Sequence, residues 1–293
     1  MGDGGGARLR GMRAPAAAGR GLGKRLWRSL LALALGALAC RSVPPSPATI
    51  APQLTRILAS GALRVGLSGS QPPLNMRTPD GGVRGFEVDI VRGLAESMGL
   101  QLRFKVLPFA ELLPALSRGE VDLVISGLTI TPERNARVAF AGPYLVSGKS
   151  ILARAGSVEP VQDAEALDRS SRRWAALAGS TSERFIRTTL PHAQLVSTAD
   201  YEGAVQKVID GEVDGLIADF PVCAWQAARH PEAGLEALPA PFTVEPLGIA
   251  LPPDDPLFTN LVQNHLTTLR ETGLLARFKA RWLSGEPQGS SHP

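Results

Sequence analysis

Arg134 and Asp219 are the two charged residues whose surroundings most clearly point to chemistry. An apolar run, Val121–Ile125, ends in Ser126-Gly127, and the chain then turns through Thr129, Ile130, Thr131 and Pro132. Thr131 fits a helix N-cap and Pro132 the first helical position. Arg134 therefore falls one turn in, beside free backbone N–H groups. A guanidinium with such donors makes a planar, bidentate carboxylate receptor. The plainer reading is a surface arginine paired with Glu133 or Asp89. Asp219 closes the run Gly215–Ala218, with Pro221 close behind. It reads either as a ligand carboxylate or as a helix N-cap. Ser180-Thr181-Ser182, after Gly179, opens another helix, whose N-terminus suits an anion. Ser180 with Glu183 three residues on is also a capping box, and the two roles are compatible.

The elements that must carry these residues alternate. A short helix over Leu54–Ala59 precedes a strand at Ala62–Leu67 and a loop at Ser68–Met76. Phe86–Met98 has one apolar stripe of a helix, with Gly99 as its cap. A strand at Leu100–Leu107, a helix at Ala110–Arg118 and the Val121–Ile125 strand complete a β-α-β-α-β order, which implies a parallel sheet faced by helices. The order recurs: a strand at Trp174–Ala178, a helix to Leu190, a strand at Gln194–Ser197, a helix at Tyr201–Ile209, a strand at Val213–Ala218 and a helix at Pro221–Arg229. Gly119-Glu120-Val121-Asp122 and Gly211-Glu212-Val213-Asp214 mark the same place in each half. Open parallel sheets bind ligands beyond the carboxyl ends of their strands, so two such sheets facing each other would form a cleft. Glu245–Leu251 reads as a returning strand. Thr259–Leu283 reads as one long helix that Gly273 kinks.

Ser126–Tyr144 resembles the signature of the family 3 extracytoplasmic solute-binding proteins, the polar amino acid receptors of ABC importers. The matching residues are Ser126-Gly127, Thr129, Thr131, Glu133-Arg134 and Phe140-Ala141-Gly142-Pro143-Tyr144, and the similarity runs over roughly 54–285. The resemblance implies an α/β, two-lobed periplasmic-binding-protein fold of type II, with two parallel-sheet lobes joined by two hinge strands near Tyr144–Gly148 and Phe242–Pro246. Lobe 1 would be 54–145 with 246–285, and lobe 2 would be 146–245. It also implies that Arg134, Thr129 and the Ser180-Thr181 loop hold a ligand carboxylate, while Asp219 and the Gly127 carbonyl hold its ammonium, with Ser126 also at the site. Phe109 matches the aromatic on which such ligands pack; a plain core Phe is the alternative. Many members carry an acid where this chain has Ser68 and an aromatic where it has Gln71. That departure favours a neutral polar side chain over lysine or arginine, unless Glu111 or Asp80 replaces the acid.

The implied function is capture of a polar amino acid by hinge closure and its delivery to an ABC-type permease by a monomer. A sensory module for a signalling partner is an alternative. So is a dehydratase: the cyclohexadienyl dehydratases resemble this chain but place a Glu general acid three residues after the aspartate. Here that residue is Val222, which cannot move a proton.

The formal charge of +4 is carried by the N-terminus. Seven basic residues and Asp3 precede Cys40; without them 24 basic residues face 26 acidic ones, a net of −2. That leaves no ground for nucleic-acid binding. Leu30–Ala39, behind a basic flank, is too short to span a bilayer and suits a signal peptide over 1–39, with Met12 an alternative start. Gly36–Cys40 resembles a permissive lipobox with Cys40 as lipidation site and 40–53 as tether. Ala37-Leu38-Ala39 is equally a site for ordinary cleavage. Either route places the chain outside the cytoplasm. Residues 286–293 read as a disordered tail. Cys223 reads as a small core residue. The four histidines do not fall at metal-ligand spacing, and no P-loop or G-x-S-x-G elbow is present, so no cofactor is expected.

Overall fold

The computed structural model describes residues 51–157 and 165–284. The leader, Cys40 and its tether up to residue 50, and the tail lie outside the described residues. Helix α1 (Pro52–Ser60) leads into β1 (Ala62–Leu67), and Gly61 turns between them at φ 65°. The loop expected at 68–76 instead contributes strands β2 (Ser70–Gln71) and β3 (Asn75–Arg77). With β4 (Val83–Arg84) they form a small antiparallel sheet. Helix α2 (Phe86–Ser97) comes next, then β5 (Gln101–Val106), a 3-10 turn at Phe109–Glu111, α3 (Leu112–Ser117) and β6 (Leu123–Val124). The short α4 (Pro132–Asn135) precedes β7 (Ala139–Ser147) and β8 (Lys149–Arg154).

The second half comprises β9 (Arg173–Leu177), α5 (Thr181–Thr189), β10 (Gln194–Thr198), α6 (Tyr201–Ile209), β11 (Gly215–Asp219), α7 (Phe220–Arg229) and β12 (Leu235–Ala237). The chain returns as β13 (Glu245–Leu251) and ends in α8 (Pro256–Glu271) and α9 (Leu274–Leu283). Gly273, at φ 73°, separates these two helices outright rather than kinking one. A left-handed residue breaks the helical hydrogen-bond ladder, which glycine tolerates.

Two five-stranded sheets result, in the orders β5-β1-β6-β13-β7 and β10-β9-β11-β8-β12. They are mixed, not purely parallel. In the first, β1 runs parallel to β5 and β6, while β13 is antiparallel to β6 and β7. In the second, β9 runs parallel to β10 and β11, while β8 is antiparallel to β11 and β12. The antiparallel strands are the ones that carry the chain out of one lobe and back. Only Gly148 separates β7 from β8, and Glu245 at the start of β13 pairs with Ser147 at the end of β7. Leu63, Val65, Phe86, Ile90 and Phe258 centre one core, and Trp174, Ile186 and Ile217 belong to another under the second sheet.

The repeated tetrapeptide has a structural role. Asp122 accepts from Arg64 N and Asp214 accepts from Arg173 N, each at 2.7 Å. Each aspartate also donates its own N–H to that residue's carbonyl at 2.8 Å. Thus the same four residues lock the third parallel strand of each lobe onto the first.

A Cβ placed on Gly148 would lie 1.8 Å from the Thr243 carbonyl oxygen. The two crossing segments approach too closely for any side chain. Gly148→Ala is expected to cost at least about 3 kcal/mol, the upper range of overpacking, because the obstruction is backbone. Urea unfolding of the variant against wild type checks this.

Candidate functional site

Lobe 1 presents the turn after β6. Gly127 sits at φ 57°, and its N–H donates to Glu87 Oε1 at 2.6 Å. The buried Ser126 hydroxyl accepts from Ser68 N at 3.0 Å and donates to Gln71 Oε1. Thr131 caps α4 by accepting from Arg134 N at 3.2 Å. That cap directs the half-buried Arg134 side chain away from Glu133 and Asp89. Glu133 pairs with Arg184, and Asp89 with Arg92. Arg134 instead donates to Thr129 O at 3.0 Å and to Gly179 O of lobe 2 at 3.2 Å, and it lies 5.8 Å from the centre of the Phe109 ring. Burial, with Arg184 nearby, lowers its pKa to about 10, against the opposing pull of Asp219 and Glu133. Phe109 is both a packed core residue, 6% exposed, and the platform under this guanidinium.

Lobe 2 presents Asp219 at the end of β11. It occupies the N-cap position of α7, yet its side chain makes no capping bond. Its carboxylate is 5% exposed and forms no ion pair among the described residues. Burial raises its pKa to about 6, partly offset by Lys149 and Arg134. A Cβ on Gly127 would sit 3.1 Å from Gln71 Nε2 and 3.5 Å from Asp219 Oδ2, so these three residues from two lobes meet at one point. Ser180 Oγ accepts from Glu183 N at 3.0 Å, and Glu183 reaches back to Gly179 N at 2.7 Å, one residue earlier than a standard box.

Several participants were not singled out in the sequence. Lys149 faces Asp219 across the β8–β11 ladder and forms a buried ion pair with Glu245. Glu245 accepts from Thr129 at 2.7 Å and from Thr181 at 2.9 Å, and Lys149 donates to Thr181 at 3.0 Å. One ion pair thus joins both lobes and both crossings. Burial lowers the Lys149 pKa to about 8. Glu87, fully buried, also accepts from the Tyr144 hydroxyl and from Asn75 Nδ2. Burial raises its pKa, and the bonds from Tyr144, Gly127 and Asn75 pull the other way. Its signal was in the sequence: Glu87, Ile90, Val91 and Leu94 fall on one helical face, so an acid occupies an apolar stripe. Lys149 is likewise a charge at a buried position, two residues before the apolar Ile151-Leu152-Ala153 of the same strand. Cavities of about 360 Å³, including Thr129, Lys149 and Thr181, and about 260 Å³, including Arg134, Ser180 and Arg187, flank the contact between the lobes.

Other candidates stand apart. Asp80 is exposed and held in its turn by Thr78, while the exposed Glu111 is 3.9 Å from Arg118. Cys223 is buried, its thiol pushed up by burial and far from the thiolate form a nucleophile needs. Among the described residues no group of three or more His, Cys, Asp or Glu is placed to hold a metal ion.

Asp219 makes the stability of the unliganded protein pH-dependent. Folded Asp219 keeps its proton to about pH 6, whereas an unfolded aspartate loses it near its ordinary value of 3.8. The folded chain therefore binds more protons in that window, and this contribution falls as pH rises through it and levels off above. Asp219→Asn is expected to lack the fall and to be about 3 kcal/mol more stable than wild type at neutral pH. Urea titrations at acidic and neutral pH check both.

The family model described as bacterial extracellular solute-binding proteins, family 3, matches residues 63–285. A cyclohexadienyl dehydratase from Pseudomonas aeruginosa is 31% identical over 249 residues, 84% of this chain and 92% of that one. ABC transporter arginine-binding protein 1 of Escherichia coli is 26% identical over 227 residues, 76% of this chain and 91% of that one. Among solved structures, an ancestral amino acid-binding protein described as a precursor of cyclohexadienyl dehydratase superposes with a TM-score of 0.73 at 31% identity, covering 78% of this chain and 98% of the other. Two mixed sheets joined by two crossings and a match spanning both lobes lead to one assignment: the chain belongs to the bacterial extracellular solute-binding proteins, family 3, and has their two-lobed type II fold.

Proposed function

We propose that the protein captures an amino acid outside the cytoplasm by closing its lobes, and passes it to an ABC-type permease. The observation that carries this reading is a pair of opposite charges, Arg134 on lobe 1 and Asp219 on lobe 2, each without an ion-pair partner among the described residues. A zwitterion supplies both missing partners. Its carboxylate meets Arg134, the Thr129 hydroxyl and the helix start at Ser180-Thr181. Its ammonium meets Asp219 beside Ser126-Gly127. Phe109 supplies an apolar wall, and Ser68 and Gln71 line the side-chain end. Because the two charges belong to different lobes, only the closed form satisfies the ligand, and binding energy appears as closure.

The lobes that move are 54–145 with 246–285 and 146–245, and the protein acts as a monomer, anchored through lipid on Cys40. The names of the relatives support an amino acid as ligand. A dehydratase is the second reading, favoured by the 31% identity to an enzyme. It is disfavoured by Val222, fully buried on the first turn of α7, where a proton donor would be required. Turnover of a cyclohexadienyl substrate by the purified protein would establish it.

Thermal unfolding against the twenty amino acids tests the binding reading, because a ligand at one hundred times its Kd adds about 2.7 kcal/mol to stability. Arg134→Ala and Asp219→Ala are each expected to weaken binding of the best ligand by roughly 2–5 kcal/mol, as truncation of one partner of a buried charge pair does. Calorimetry reads the loss; wild-type affinity in either variant rejects the assignment.

A further inference from the structure

The charged residues gather in the cleft. A second concavity has the opposite character. A cavity of about 440 Å³ lies at the hinge, within the size range of small-molecule sites. Pro73 and Trp282 enter it from lobe 1, Phe220 and Trp225 from lobe 2, and Ser147 and Thr243 from the two crossings. None of the residues assigned to the amino acid lines it, Arg134, Asp219 and Gln71 included. No lining residue carries an ionisable side chain. Val146 and Val244, one from each crossing, also face it and are 58% and 80% exposed. Large apolar side chains left in water beside a concave apolar wall mark a binding surface.

The chemistry of the occupant follows from these walls. Two indoles, a phenyl ring and prolines offer flat apolar faces and no counter-charge, so an ion would enter unmatched at high cost. One polar group goes unanswered. The Ser147 hydroxyl is buried and has no hydrogen-bond partner among the described residues. A buried polar group left in that state costs about 1–3 kcal/mol, which a partner from outside the chain would recover.

We propose that this cavity is a second binding site, for an uncharged, largely apolar small molecule with one hydrogen-bonding group, and that its occupant favours the closed lobes. The walls come from both lobes and both crossings, so a molecule filling the cavity is held by the arrangement in which the lobes meet. Preference for that arrangement shifts the lobes toward it. Amino acid affinity then rises with occupancy, and the coupling is reciprocal. The coupling rests on the lobe closure proposed above; the site itself does not.

The test uses N-phenyl-1-naphthylamine, an uncharged fluorophore with a single N–H, against 8-anilino-1-naphthalenesulfonate, which adds a sulfonate to the same skeleton. Titrated into the purified full chain, the uncharged compound is expected to saturate one site per chain and to bind at least about tenfold more tightly than the sulfonate. Ala224→Trp, which sets an indole into the cavity from α7, is expected to abolish that binding while the thermal midpoint stays near wild type. Ser147→Ala, a conservative change, is expected to weaken it about threefold. A saturating amount of the uncharged compound is expected to tighten the best amino acid ligand at least about fivefold. No saturable binding, equal affinity for the two compounds, or full binding in Ala224→Trp overturns the site. Mutual exclusion with the amino acid makes the cavity an arm of the cleft and overturns it too. So does a dimer, seen by light scattering, that dissociates as the compound binds, because a second copy then owns this face. Full binding in Ser147→Ala overturns the hydrogen bond, and unchanged amino acid affinity overturns the coupling. If the uncharged compound binds and no amino acid does, the zwitterion reading fails and the site stands.

Discussion

The Lys149–Glu245 ion pair occupies the one place where both crossings and both lobes meet. Lys149 opens the strand that leaves lobe 1, and Glu245 opens the strand that returns to it. Thr129 from one lobe and Thr181 from the other bond to the same Glu245 oxygen. Removing two charges from water is expensive, and a buried pair is poor evidence for stability by itself. Its value here is geometric. Non-directional apolar packing would let the strands slide, whereas a pair with hydroxyl donors on both sides specifies one angle between the lobes. Thr129 and Thr181 belong to different lobes, so the proposed opening would part them, whereas both members of the ion pair sit on the crossing strands.

The two lobes solve one structural problem twice with the same residues. In each, an aspartate after a tight glycine turn clamps the first parallel strand to the third. Beyond the clamp the lobes diverge. Lobe 1 ends its strand in Ser126-Gly127 and a helix bearing a cation, while lobe 2 ends its strand in a carboxylate. The framework is symmetric and the chemistry is complementary, which is the combination the proposed zwitterion requires.

Most of the fold was legible in the sequence because its elements are short, strongly apolar and punctuated by glycine. Ala62–Leu67, Tyr201–Ile209 and Glu245–Leu251 emerge directly from periodicity. The antiparallel members were not legible, because direction is a tertiary property: alternation in Ala139–Ser147 is the same whichever way its neighbour runs. The short strands at Ser70–Gln71 and Asn75–Arg77 escaped because two prolines between them read as loop. Arg134 and Asp219 were readable from their places at helix starts. Glu87 and Lys149 were readable only as rule-breaking charges in apolar patterns, and their partners lie 40 and 96 residues away in sequence. Local pattern flags such a residue without naming what satisfies it.

Glu87 illustrates why a site cannot be judged from its lining alone. A carboxylate deep in lobe 1 is tolerated because three donors solvate it, and those donors are themselves parts of the cleft floor: the Gly127 turn, the Asn75 strand and Tyr144 beside the hinge. Desolvation fixes the protonation of Asp219 in the same manner: its raised pKa is the cost of holding a carboxylate ready in a dry site. Val222, three residues after Asp219, is fully buried in an apolar cluster. Asp219 and Lys149, whose pKa values burial moves to about 6 and about 8, are the cleft groups nearest to titrating at neutral pH, and their charges answer to whatever occupies the site.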